Sequence, residues 1–231
     1  MNSTKKAARF AGLLYLLMSI PAPLTLIYIP STLIVSGDAA ATAGNIRASE
    51  SLFRLGIAGN LLGQTIFIFV GLALYELFKG VNRRLALVML ILVLVSVPIG
   101  FVNELNQIAA LILLSGANFL SAFDPGQLNA LLMLFLKLHG NGFLVVEVFW
   151  GLWLFPFGVL VYRSGFLPRI LGVLLIPAGF AYLAVTTSHL LFPHYGDLVS
   201  RVATVLQLGE LPIIFWLLIM GAKDQPLDAA A

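Results

Sequence analysis

Six runs of the chain, Phe10–Ile29, Leu52–Phe78, Leu85–Leu114, Leu128–Tyr162, Ile170–Phe192 and Val199–Gly221, are each at least 20 residues long and nearly without charge. About 20 apolar residues in a helix are what the roughly 30 Å hydrocarbon core of a bilayer requires. Nothing in that core can hydrogen-bond an exposed peptide group, so a spanning segment must satisfy its own backbone, and a continuous apolar run does so as an α-helix. Composition agrees, with 60% of residues apolar and 10% charged, where a water-soluble globule has about a quarter of its residues charged. The expected fold is all-α: a polytopic bundle of six transmembrane helices forming a single domain over residues 1–231, with the lipid bilayer as its first partner.

The connections mark helix ends independently of hydropathy. Asp124-Pro-Gly-Gln127 sets out an N-cap, a first-turn proline and a glutamine in the order of a capping box. Ser164-Gly-Phe-Leu-Pro-Arg169 reads as a tight turn whose proline opens the fifth helix. Ser36–Ser51 is the longest connection, expected on the membrane surface, with Arg47, Glu50 and Arg54 spaced for ion pairs on a helical approach to the second span. Lys137, His139, Gly140, Asn141 and Gly142 interrupt the fourth run, which leaves two forms open: an interfacial turn before a shorter span, or one long tilted helix. Gly56, Gly59 and Gly63 stripe one face of the second helix and predict a close contact, within the bundle or between copies in a homo-oligomer.

Lysine and arginine set the orientation. With a cytoplasmic N-terminus, Lys5, Lys6, Arg9, Lys79, Arg83, Arg84, Arg163, Arg169 and Lys223 fall inside, nine of the thirteen basic residues. Only Arg47, Arg54 and Arg201 fall outside, so both termini are expected in the cytoplasm. The basic start resembles a secretory signal, but the run continues through Pro21 and Pro23 to Ile29 without a small-residue cleavage site and reads as an uncleaved helix. Basic residues scattered between apolar runs argue against nucleic acid as a partner. With no cysteine, thiolate metal sites, iron–sulfur clusters and cysteine nucleophiles are excluded. No GxSxG, P-loop or dinucleotide fingerprint occurs, and the sequence assigns no catalytic residue and no cofactor.

What remains is a set of polar groups inside the apolar runs, where each costs about 2.5 to 3.5 kcal/mol if charged and is therefore a functional candidate. In the orientation above they collect from mid-membrane to the outer side. The candidate ligand-binding residues are Glu104, His139, Glu147 and Glu210 as central groups, with Asn60, Gln64, Gln107, Lys137 and Gln207 around them. Asn60 with Gln64, Glu104 with Gln107, and Gln207 with Glu210 are three or four apart and share helix faces. Faces of this kind on four helices are satisfied either by an outward-opening polar pocket or by a closed core in which Lys137 pairs with Glu104 or Glu147. His139, Glu147, Glu104, His189 and Glu210 also have the chemistry of zinc ligands, but none has the spacing of a local metal motif, and no metal is assigned.

Ala8-Arg-Phe-Ala-Gly-Leu-Leu-Tyr-Leu16, Leu52-Phe-Arg-Leu-Gly56, Ala73-Leu-Tyr-Glu-Leu77, Leu138-His-Gly-Asn-Gly142 and Tyr162-Arg-Ser-Gly-Phe-Leu-Pro-Arg-Ile-Leu-Gly172 carry a likeness over nearly the whole chain. The sequence resembles an uncharacterised bacterial membrane family known as domain of unknown function 4386. That resemblance implies a multi-pass protein of the bacterial cytoplasmic membrane and supplies no substrate, cofactor or catalytic residue. Three functions stay open: binding or transport of a small polar or amphiphilic molecule, a lipid among them, in the outer pocket; a structural or accessory role; and intramembrane metal-dependent hydrolysis. The topology is directly testable, because a chain without cysteine accepts single-cysteine labelling without background. Ser36→Cys and Ser121→Cys should react with an impermeant maleimide in intact cells, and Lys79→Cys only after permeabilisation; labelling of all three from one side would refute the topology.

Overall fold

The computed structural model describes residues 3–223; residues 1–2 and 224–231, the chain ends assigned above to the cytoplasm, lie outside the described residues. Among the described residues there is no strand, and six helices are long and apolar enough to cross a membrane. The first joins α1 (Ser3–Ser19), a π-helical turn Pro23–Tyr28 and α2 (Ile29–Leu33). A short helix α3 (Ala39–Ala48) leads to α4 (Glu50–Phe78), α5 (Arg83–Leu114), α6 (Pro125–Arg163) and α7 (Arg169–Leu191). The last joins α8 (Gly196–Gln207), a 3₁₀ turn Leu208–Glu210, α9 (Leu211–Phe215) and a π-helical turn Trp216–Met220.

Local signals account for most boundaries. The capping box before α6 forms in both directions, Gln127 N donating to Asp124 Oδ1 at 2.8 Å and Asp124 N to Gln127 Oε1 at 3.0 Å. The fourth span is one helix of 39 residues, so the polar patch from Lys137 to Gly142 lies inside it. Between the first two spans, Asp38 caps α3 by accepting from Ala41 N at 2.8 Å. The helical period then turns Thr42, Ala43 and Ile46 inward, each 0–1% exposed, so this connection is an amphipathic helix with one buried face and not a loop lying wholly on the surface. Arg54 does pair with Glu50, at 2.7 Å. Pro98, Pro156 and Pro177 sit within continuous helices, whereas the first and last spans lose regular winding beside Pro21, Pro23 and Pro212. A proline in or next to each break withholds a backbone donor, and the turn rewinds beside it.

The chain divides into two compact units, one of Met1–Leu17, Ile66–Val97 and Leu144–Ala231, the other of Met18–Thr65 and Pro98–Phe143. The first has an aromatic core in which Trp153 stacks on Phe157 at 5.1 Å and meets Phe67 edge-on at 5.3 Å. Phe78 contacts both Phe157 and Phe166, at 5.8 and 5.6 Å. The second unit has a mainly aliphatic core, built from Ile29, Leu33, Ile46, Phe53, Ala110 and Leu132 with their neighbours. There the stripe read from sequence seats the irregular part of the first span: a Cβ at Gly56 would lie 2.7 Å from Ile29 Cδ1, and one at Gly59 3.2 Å from Thr25 Cγ2. The stripe thus serves a contact within the chain.

A second glycine arrangement binds α6 to α7. A Cβ on Gly151 would lie 2.8 Å from the Gly179 carbonyl oxygen, and one on Gly179 2.9 Å from the Gly151 carbonyl oxygen. Gly158 and Gly172 face each other in the same reciprocal way, a Cβ on Gly158 meeting the Gly172 oxygen at 2.9 Å. Each helix contributes two glycines seven residues apart, two turns on one face, so the antiparallel backbones touch at two successive points. Any side chain at these positions must push the helices apart. Gly158→Ala and Gly172→Ala should each cost about 1–3 kcal/mol, read as a lower unfolding temperature in detergent. Gly44→Ala on α3, where a Cβ meets nothing within 4 Å, should instead be neutral or stabilising by up to about 1 kcal/mol.

Candidate functional site

In the second unit the polar stripe of α5, Gly100, Asn103, Glu104 and Gln107, follows i, i+3, i+4, i+7 spacing and therefore faces one way. Asn60 and Gln64 on α4 and His139 on α6 complete the group. Glu104 is 2% exposed. Its Oε1 accepts from Asn60 Nδ2 at 3.0 Å and lies 3.1 Å from His139 Nε2. The amide nitrogen of Gln107 stands 2.9 Å from His139 Nε2 and 3.2 Å from Nδ1. With the proton on Nε2, that nitrogen donates to the Glu104 carboxylate and Nδ1 is left to accept from the Gln107 amide at 3.2 Å. Phe143 meets the His139 ring edge-on at 4.9 Å.

Two acceptors in this group have no hydrogen-bond partner, Glu104 Oε2 and Gln64 Oε1, and both atoms are buried. Gln64 packs on the bare backbone of Gly100, where a Cβ would lie 2.6 Å from its amide nitrogen. Asn103 donates to the His139 carbonyl at 2.9 Å, holding the turn of α6 that presents the imidazole. Gly142 gives that side chain its room, since a Cβ there would collide with the Asn103 carboxamide. The sequence patch in the fourth span therefore has a purpose: glycine admits an asparagine from α5, and the asparagine fixes the histidine.

The first unit has its own polar group at the break in the last span. Glu210 ends the 3₁₀ turn, and Tyr15, 1% exposed, donates to its Oε2 at 2.7 Å. Tyr182 is a second phenol close to the same carboxyl and also lies within electrostatic reach of Glu147. Glu210 Oε1 and Glu147 Oε2 are buried without a hydrogen-bond partner. Gly209 allows the break to approach α7, a Cβ there standing 2.8 Å from the Leu174 carbonyl oxygen.

The candidate residues thus separate into two groups, Asn60, Gln64, Glu104, Gln107 and His139 in one unit and Glu147 and Glu210 in the other. Lys137 is exposed and makes no ion pair with Glu104 or Glu147 among the described residues. Standing two residues before His139, it points to the opposite side of α6. Gln207 is half-buried in the last turn of α8, outside both hydrogen-bonded groups. His189 turns back on its own helix, Nδ1 lying 3.1 Å from the Val185 carbonyl. Among the described residues no three of His, Asp and Glu are placed to hold a metal ion. Tyr15 and Tyr182 were not among the candidates. Their signal was there, because tyrosines away from the interfacial belts of a span require a hydroxyl partner inside the protein. If Gly142 exists to admit Asn103, Gly142→Ala and Asn103→Ala should each destabilise by about 1–3 kcal/mol, and the double variant by well under the sum. Full additivity in thermal unfolding would separate the two residues.

A family model, Domain of unknown function (DUF4386), matches residues 10–221. An uncharacterized protein of Archaeoglobus fulgidus is 28% identical over 167 residues, 72% of this chain and 84% of that protein. No solved structure matches. A match running from the first apolar helix to the last identifies this multi-pass, all-α membrane protein as a member of the DUF4386 family.

Proposed function

We propose that the protein binds or transports a small polar or amphiphilic molecule in the bacterial cytoplasmic membrane, and that the Glu104–His139 group is the centre of its site. One observation supports this above the others: Glu104 Oε2 and Gln64 Oε1 are buried acceptors without partners on helices surrounded by hydrocarbon. A polar group whose only task is to join helices is cheapest when all its capacity is used. Here two oxygens stay available, and among the described residues no lysine or arginine pairs with the Glu104 carboxylate. A ligand presenting hydrogen-bond donors, above all a protonated amine, would supply both the missing bonds and the charge. Glu147 and Glu210 offer acceptors of the same kind in the other unit. The structural alternative rests on the bonds already made to Glu104 Oε1.

Thermal unfolding of the detergent-purified protein with ethanolamine, putrescine and glycerol at millimolar concentration distinguishes the two. A bound probe at a hundredfold excess over Kd stabilises by about 2.7 kcal/mol. At least one amine should raise the unfolding temperature of the wild type by several degrees and leave Glu104→Gln unshifted. The structural reading instead expects no probe effect, with Glu104→Gln less stable than the wild type because the charge-assisted bonds from Asn60 and His139 are weakened. An equal rise in both proteins would remove Glu104 from the site.

A further inference from the structure

Outside both polar groups, the second unit carries an open groove of about 420 Å³ lined by Arg54, Ile57, Ala58, Leu61, Ile108, Leu111, Ile112 and Ser115. Its walls are two matched stripes. Arg54, Ile57, Ala58 and Leu61 follow i, i+3, i+4, i+7 on α4, and Ile108, Leu111, Ile112 and Ser115 repeat that spacing to the end of α5. Two turns at 1.5 Å per residue give a trough about 10 Å long, within the roughly 15 Å depth of one hydrocarbon leaflet. The polar residues stand together at one end, where α4 begins and α5 stops. The remaining lining is apolar.

We infer that this groove is a phospholipid site, holding one acyl chain between the stripes and a headgroup that carries both a phosphate and a primary ammonium on the Arg54–Glu50 pair. An acyl chain leaving the bilayer for an apolar trough exchanges one hydrocarbon neighbour for another and gains little. Selectivity therefore belongs to the headgroup end. There Arg54 spends only Nε on Glu50 Oε1, at 2.7 Å, and both side chains are more than half exposed, 61% and 51%. The two Nη groups of the guanidinium remain as a fork for phosphate oxygens. Glu50 stands one turn beyond, further out, with its second oxygen available to an ammonium. A site with paired opposite charges matches a zwitterionic headgroup, whereas a purely anionic one would face the Glu50 carboxylate. The chain-terminal end of the groove is narrowed by nothing larger than Leu61 and Ile108, and Ala58 provides its width.

Native mass spectrometry of the purified protein, given an equimolar mixture of phosphatidylethanolamine and phosphatidylglycerol, tests this. The wild type should retain phosphatidylethanolamine at least fivefold over phosphatidylglycerol. Arg54→Gln should lower that retention at least fivefold, and Glu50→Gln should shift the preference toward phosphatidylglycerol. Ala58→Trp fills the trough without touching the charges and should abolish the adduct, while Leu62→Trp, at a 55% exposed position of α4 outside the groove, should leave it. Arg54→Gln and Ala58→Trp act on opposite ends of the lipid, so either one is decisive if the other does not fold. Equal retention of the two lipids, an adduct that survives Arg54→Gln, or equal loss in Leu62→Trp would overturn the site.

Discussion

Every polar group in a hydrocarbon-spanning helix has to be answered from within the protein, and this one condition organises the molecule. The backbone meets it by winding. The side chains meet it by grouping, so that Glu104, which nothing in the bilayer could accommodate alone, is reached by an amide of α4 and an imidazole of α6. The same condition puts two phenols beside Glu210. In both groups the carboxylate keeps one buried oxygen free of partners.

Glycine does the complementary work. Lipid gives helices no hydrophobic reason to associate, so they must approach closely enough for dispersion and for short polar reach to matter. Gly142 lets Asn103 into the fourth span, Gly56 and Gly59 seat the irregular first span, and the four glycines of α6 and α7 bring two backbones together. Removing side chains at these places creates the room in which the polar groups meet.

Much of this was legible in the sequence because it is local. The six spans follow from run length, and the α6 capping box from four consecutive residues. The buried face of α3 is less legible, because Asp38 and the helix-forming alanines after it sit in a connection too short and too weakly apolar to read as a span. The Gly151, Gly158, Gly172 and Gly179 contacts were not legible, since each pair links residues 14 or 28 positions apart and every glycine looks like ordinary membrane-helix composition. Depth along a helix indicated that Glu104, His139, Glu147 and Glu210 are unusual, but depth does not tell which helices are neighbours. The division into two groups, and the entry of Tyr15 and Tyr182 into one of them, required the packed structure.

The reciprocal glycine contacts have a mechanical meaning. Two helices touching at points two turns apart cannot slide along each other, because any translation short of a full repeat drives side chains into backbone. They can only rock about the line through both points, as a door turns on two pins. Within the first unit, sliding of α6 along α7 is thereby blocked at both glycine contacts.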